Sequence, residues 1–131
     1  MLEEGSKLKV IGERAFYDCD KIRNIRLPDC LEEIGCYAFY NSGLQNFIAP
    51  RSLRVFGWST FGYCKNLRHV QLNEGLEVLG TGDGNGGVFW GSAVENVILP
   101  STLKRIERHT FHDCKNLRSI NLPEGLEFIG E

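Results

Sequence analysis

No apolar run in this sequence approaches the roughly 18 residues that a membrane-spanning helix needs. Surplus charge is missing too: 15 basic against 17 acidic residues leave a net charge of −2, so nothing in the composition points to nucleic acid or to a membrane surface. The opening MLEEGSKLKV is acidic and broken by glycine, unlike a secretory leader. No Cys-x-x-Cys pair is present, which argues against a bound metal. The five cysteines, an odd number, cannot all pair within the chain. What is left is an ordinary globular composition, 42% hydrophobic and 24% charged, in 131 residues. That length suffices for one domain with one continuous core.

What the sequence does have is self-similarity, the first thing to settle before any motif. Five segments align on a phenylalanine: AFYDCDKIRNIRLPDCLEEIG (15–35), AFYNSGLQNFIAPRSLRVFG (38–57), TFGYCKNLRHVQLNEGLEVLG (60–80), VFWGSAVENVILPSTLKRIE (88–107) and TFHDCKNLRSINLPEGLEFIG (110–130). The anchors Phe16, Phe39, Phe61, Phe89 and Phe111 are 23, 22, 28 and 22 residues apart. Residues 8 to 12, LKVIG, match the tail of a preceding unit.

Every unit carries the same apolar frame. An aliphatic residue follows the Phe (Ile22, Leu44, Leu67, Val94, Leu117), and three residues later stands Ile25, Phe47, Val70, Val97 or Ile120. Two beyond come Leu27, Ala49, Leu72, Leu99 or Leu122, then a proline in every unit except the third, which has Asn73. The two-residue step is a strand period with alternate side chains inward. Proline stops each strand from lengthening. The Ala/Thr-Phe-x-x-Cys/Ser piece is too short for a stable helix and is predicted to form a single helical or 3-10 turn. One unit cannot bury its own apolar edge, so the units are expected to stack into a right-handed solenoid of short parallel β-strands. That solenoid has about five repeats of 22 to 23 residues and forms a single domain over 1–131.

A finer order overlies the repeat. Units one, three and five place Cys19, Cys64 and Cys114 three residues after the Phe, whereas units two and four place Ser42 and Ser92 there with one residue fewer to the aliphatic. This alternation of AF-x-x-C-x-x-L-x-x-I-x-L-P-x-x-L-x-x-IG with a serine form resembles the BspA-like leucine-rich repeats over essentially the whole chain. The resemblance implies an α/β-class leucine-rich-repeat fold and an extended binding surface for protein partners, often used in adhesion. It also implies a cell-surface or extracellular location. It names no ligand and implies no cofactor.

Two columns follow if the units stack. The residue after each closing-segment leucine alternates in sign: Lys9, Glu32, Arg54, Glu77, Lys104, Glu127. Strands about 4.8 Å apart would set each charge beside an opposite one, contributing roughly 0.2 to 1 kcal/mol per exposed pair and holding register. The cysteines of alternate units would lie roughly 9 to 10 Å apart, too far for a disulfide, whose Cα atoms stand within about 7 Å. They are expected to be reduced core residues, with Cys30 and Cys36 outside the column and nearer the surface.

GDGNGG, residues 82 to 87, fits the G-x-G-x-x-G of dinucleotide-binding loops. Such loops hold pyrophosphate because a long helix follows and aims its amides at the anion. Here only a short turn follows. One Asp and one Asn are too few for a calcium cage. The stretch reads as a surface insertion of five residues. His109 and His112 flank Phe111 beside Asp113 and Cys114, but Cys114 is a core position, so a surface histidine is the reading of His112.

No Ser/His/Asp or Cys/His set breaks the repeat, so the chain reads as a non-enzyme. Two faces remain for a partner. The outward side of the main strands carries Asn24, Arg26, Asn46, Ile48, His69, Gln71, Asn96, Ile98, Ser119 and Asn121, bordered by Arg23, Gln45, Arg68, Glu95 and Arg118. Isolated isoleucines among amides and arginines match the mix at protein interfaces, although an ordinary solvated sheet would look similar. The turn edge carries Tyr17, Tyr40 and Trp90, which either bind or cover the core. The favoured function is a non-catalytic protein-recognition module; the alternative is a structural spacer or self-assembling scaffold segment. Neither end shows a polar cap, so the chain reads as part of a longer array or as a unit that associates end to end.

Overall fold

Ten short β-strands form in the computed structural model, which describes residues 6–81 and 86–130: four from the inward pairs of units two to five and six from the segments that close each unit with Leu-x-x-Ile-Gly or a variant of it. These are β1 (Val10–Ile11), β2 (Glu33–Ile34), β3 (Asn46–Ile48), β4 (Val55–Phe56), β5 (His69–Gln71), β6 (Val78–Leu79), β7 (Asn96–Ile98), β8 (Arg105–Ile106), β9 (Ser119–Ile120) and β10 (Phe128–Ile129). All pair in parallel. One sheet has the order β3-β5-β7-β9, and the closing segments form β1-β2-β4 and β10-β8-β6. The strand predicted in the first unit does not form: Asn24 to Arg26 lack a ladder, and the last bond from the second unit runs from the Gln45 N–H to the Arg23 carbonyl at 2.9 Å.

The core is a column of phenylalanine rings. Phe16, Phe39, Phe61, Phe89 and Phe111 stack in order with centroids 5.0, 5.5, 5.4 and 5.6 Å apart and planes within 9° of parallel. Phe47 and Phe56 pack across the column, and Leu31, Ile34, Leu44, Leu53, Leu67, Leu76 and Leu79 are fully buried around it. Burial is complete in the middle coils and partial at the ends, where Leu122 is 57% exposed and Ile129 56%.

The Phe-bearing segments form single turns closed by i→i+3 bonds, as expected, but the turns do not join into a helix among the described residues. In the first unit the N–H groups of Ala15, Tyr17 and Cys19 close short turns on Gly12, Arg14 and Phe16. Those of Arg14, Phe16 and Asp18 instead donate to Cys36, Ala38 and Tyr40 of the next coil at 2.7 to 3.0 Å. A helix would keep every N–H for itself; here alternate amides serve the stack. The residue two after each Phe sits in the left-handed region (Asp18 φ 58, Asn41 φ 53, Tyr63 φ 52, Gly91 φ 70, Asp113 φ 57). Asp, Asn and Gly tolerate that conformation best, which accounts for four of the five.

All five cysteines are free; of the expected core column only Cys64 is fully buried, while Cys19 and Cys114, near the two ends of the stack, are half-buried like Cys30 and Cys36. Ser42 Oγ lies 3.6 Å from Cys64 Sγ and Ser92 Oγ 3.7 Å from Cys114 Sγ, while each thiol donates to the carbonyl of the preceding coil's phenylalanine at 3.0 Å. Cys30 and Cys36 are half-buried, Cys30 Sγ donating to the Ser6 and Leu8 carbonyls. Burial pushes the Cys64 thiol from 9.0 up to about 11. The folded state therefore holds this proton more tightly, and its contribution to stability is whole below pH 9 and lost as pH rises to 11. Urea unfolding at pH 8, 9 and 10.5 is expected to show stability falling over that window. Cys64→Ala should reduce the slope; an unchanged slope would show that another group carries it.

The charge column is only partly realised. Lys9 reaches Glu32 at 3.9 Å and Lys104 reaches Glu77 at 4.0 Å. Arg54 turns back, donating to the carbonyls of Arg51 and Leu53. No strand ladder joins β4 to β6, the level where Asn73 stands in place of proline. Its Nδ2 donates to Leu53 at 2.8 Å and to Arg51 at 3.3 Å, satisfying carbonyls of the coil before.

Candidate protein-interaction face

The four-stranded sheet fixes two outward rows. Register sets Asn46 beside His69, His69 beside Asn96, and Asn96 beside Ser119. It likewise sets Ile48 beside Gln71 and Gln71 beside Ile98. Ile48 is 70% exposed and Ile98 54%, because the pleat that buries Phe47, Val70 and Val97 turns their neighbours outward. Between the rows lies an open depression of about 380 Å³, floored by Phe47 and Val70 and walled by Asn24, Asn46, Ile48, His69, Gln71, Asn96 and Ile98.

Seven of the twelve sequence-predicted residues thus share one surface. Asn96 Nδ2 lies 3.0 Å from His69 Nδ1, within hydrogen-bond distance across the row. Asn46 Nδ2 approaches Asn24 Oδ1 at 3.5 Å, so Asn24 joins the row without a strand beneath it. Arg68 Nη1 meets Glu95 Oε2 at 2.6 Å on the border. Arg26 lies in an adjoining hollow with Asp29 and Arg51, which shares Ile48 with the depression. Arg23 bends back to the Asp20 carbonyl at 2.5 Å. Arg118 is exposed at the far edge. Asn121 is occupied: its Oδ1 accepts from the Leu99 N–H at 3.0 Å and its Nδ2 donates to the Leu99 carbonyl at 3.1 Å, doing with a side chain what the missing third residue of β9 would do. Sequence reasoning missed the floor residues Phe47 and Val70 as part of the site, since inward positions give no sign of the gap above them.

The turn edge packs on itself. Tyr17 and Tyr40 stack at 5.1 Å, Tyr63 meets Tyr40 edge-on at 5.6 Å, and Arg14 lies over Tyr17 and Tyr37. Burial first, then neighbouring tyrosines, push the Tyr40 phenol up. Ring faces are occupied along the axis, which favours the covering role. Trp90 continues the row onto His109 at 5.3 Å and His112 at 4.7 Å. Among the described residues no group of three or more His, Cys, Asp or Glu could hold a metal ion. No helix among them is long and apolar enough to cross a membrane.

Of GDGNGG, residues 82 to 85 lie outside the described residues. Gly87 is described. A Cβ there would lie 1.7 Å from the His109 carbonyl oxygen, so this glycine lets one coil approach the next.

A family model described as BspA type leucine-rich repeat region matches residues 2–82 and 85–131 in six copies. Among solved structures, a leucine-rich repeat protein from Bacteroides ovatus ATCC 8483 is similar to 94% of the chain at 30% identity, with a TM-score of 0.85. The chain spans 31% of that protein's length. A leucine-rich repeat protein of T. pallidum is similar over 97% of the chain and 69% of its own, at 28% identity and a TM-score of 0.78. No curated protein matches the sequence.

Proposed function

Because the chain belongs to the BspA-type leucine-rich repeat family, we propose that it is a non-catalytic protein-recognition module acting at a cell surface, and that it binds host or matrix proteins through the four-stranded sheet. The observation that carries this reading is the exposed pair Ile48 and Ile98, flanking Gln71 over an open depression. Aliphatic side chains ringed by amides and arginines suit the centre of an interface, where a partner's apolar anchor excludes water.

The test is binding to a panel of immobilised matrix proteins. Changing Arg26, Ile48, His69 and Ile98 together to alanine is expected to weaken binding at least about tenfold, with the circular dichroism spectrum unchanged. Val55→Ser with Val78→Ser, on the closing segments, should leave it intact. Binding that ignores the first variant, or follows the second, removes the sheet from the proposal.

A further inference from the structure

The net charge of −2 conceals a strong segregation. The five segments that lead into and form the sheet, 20–26, 43–48, 65–71, 93–98 and 115–121, hold seven Lys or Arg and two Asp or Glu. The rest of the chain holds eight basic and fifteen acidic residues. These segments therefore carry a surplus of five positive charges, against a surplus of seven negative charges in the rest of the chain.

These cations are available. Lys21, Arg26, Lys65, Lys115 and Arg118 are exposed, and among the described residues none has a carboxylate within ion-pair distance. Arg23 is exposed as well, but its guanidinium is held by the Asp20 carbonyl. Glu95, the acid on the border of the sheet, is already taken by Arg68 at 2.6 Å. An anionic partner would find complementary charge here and repulsion elsewhere, which fixes both the face and the approach. Guanidinium groups add paired donors suited to carboxylates.

The uncharged residues narrow the partner. The outward rows contain no Phe, Tyr or Trp on which a nucleobase could stack. Ile48 and Ile98 need an apolar counterpart, which a sulfated polysaccharide lacks. The Asn46 and Asn96 amides can meet a peptide backbone as donor and acceptor.

Resting on the recognition role proposed above, we propose that the sheet face binds an acidic protein segment that also carries aliphatic or aromatic side chains. Arginines at the border meet its carboxylates, and the hollow between Ile48 and Ile98 takes an apolar side chain.

A displayed library of random dodecapeptides, selected on the full chain, tests this. The enriched pool is expected to have Asp and Glu in excess of Lys and Arg, together with large apolar residues. A synthetic representative should lose at least about tenfold in affinity between low and moderate salt. It should lose a similar factor on Arg26→Glu with Arg118→Glu, which breaks no internal pair, and on Ile48→Ser with Ile98→Ser. A basic or neutral pool that still depends on the isoleucines overturns the acidic chemistry and keeps the recognition face. Failure of any peptide to enrich, or binding indifferent to both double variants, overturns both. Heparin or polythymidylate binding more tightly than the peptides, and ignoring the isoleucine changes, makes the face a polyanion site and also overturns the proposal.

Discussion

Replacing Phe61 by alanine is expected to cost about 3 to 5 kcal/mol of unfolding free energy, the largest loss of any single side-chain truncation in this molecule. Its ring is fully buried, stacked at 5.5 Å on Phe39 and 5.4 Å on Phe89, and met from the side by Phe47 at 4.7 Å and Phe56 at 6.1 Å. The vacancy would open between two rings that the backbone ladder holds in place, so collapse can recover little of it. Domains of this size are stable by roughly 5 to 15 kcal/mol, and a solenoid transmits stability only between neighbouring coils. A break at the third coil therefore separates the first two from the last two. Urea denaturation should show a lower midpoint and a broadened or split transition. Phe16→Ala, at the half-buried end of the column, is expected to cost less, and equal costs for the two would contradict a continuous column.

Gly87→Ala is expected to be nearly as severe, at about 3 kcal/mol or more, although it adds only a methyl group. The new carbon would lie 1.7 Å from the His109 oxygen, 2.0 Å from its carbonyl carbon and 2.4 Å from the Thr110 nitrogen. All three are backbone atoms, so no side chain can swing aside; the fourth and fifth coils must part. That movement strains the Phe89 N–H bond to the Thr110 carbonyl, 2.9 Å long, and the ring pair Phe89–Phe111. Gly125→Ala, where nothing stands within 4 Å, is the matched control. A thermal midpoint for Gly87→Ala equal to that of the control would show that the coils do not approach so closely. The result also bears on the glycine motif, since the Gly87 that completes its pattern is required by coil packing without any anion.

Much of this was legible beforehand, and unevenly. The ring column could be read from five phenylalanines because each coil repeats the problem of burying one ring and stacking solves it in one way. The outward rows were legible for the same reason, as a period of two leaves no choice of face once Phe47, Val70 and Val97 are inside. The turns were not, because nothing in the sequence of a short segment says whether its amides will bond within the coil or across to the next. Asn121 looked like a surface residue, and only the truncated β9 shows why its amide is needed at Leu99. Arg54 fits the alternating charges, yet nearby carbonyls hold it with less loss of side-chain freedom than extended pairing with a glutamate across solvent.

By itself the sequence determined the coil, its period and the contents of its interior, because burial of apolar surface is the strongest drive to fold and recurs with the residues that supply it. Tertiary structure decided what depends on distances between coils: which amides bridge them, where glycine is obligatory, which charges meet, and which remain unpaired beside the hollow on the sheet. A balanced composition cannot reveal that last property, since which cations find a carboxylate partner is settled only after the chain has been wound.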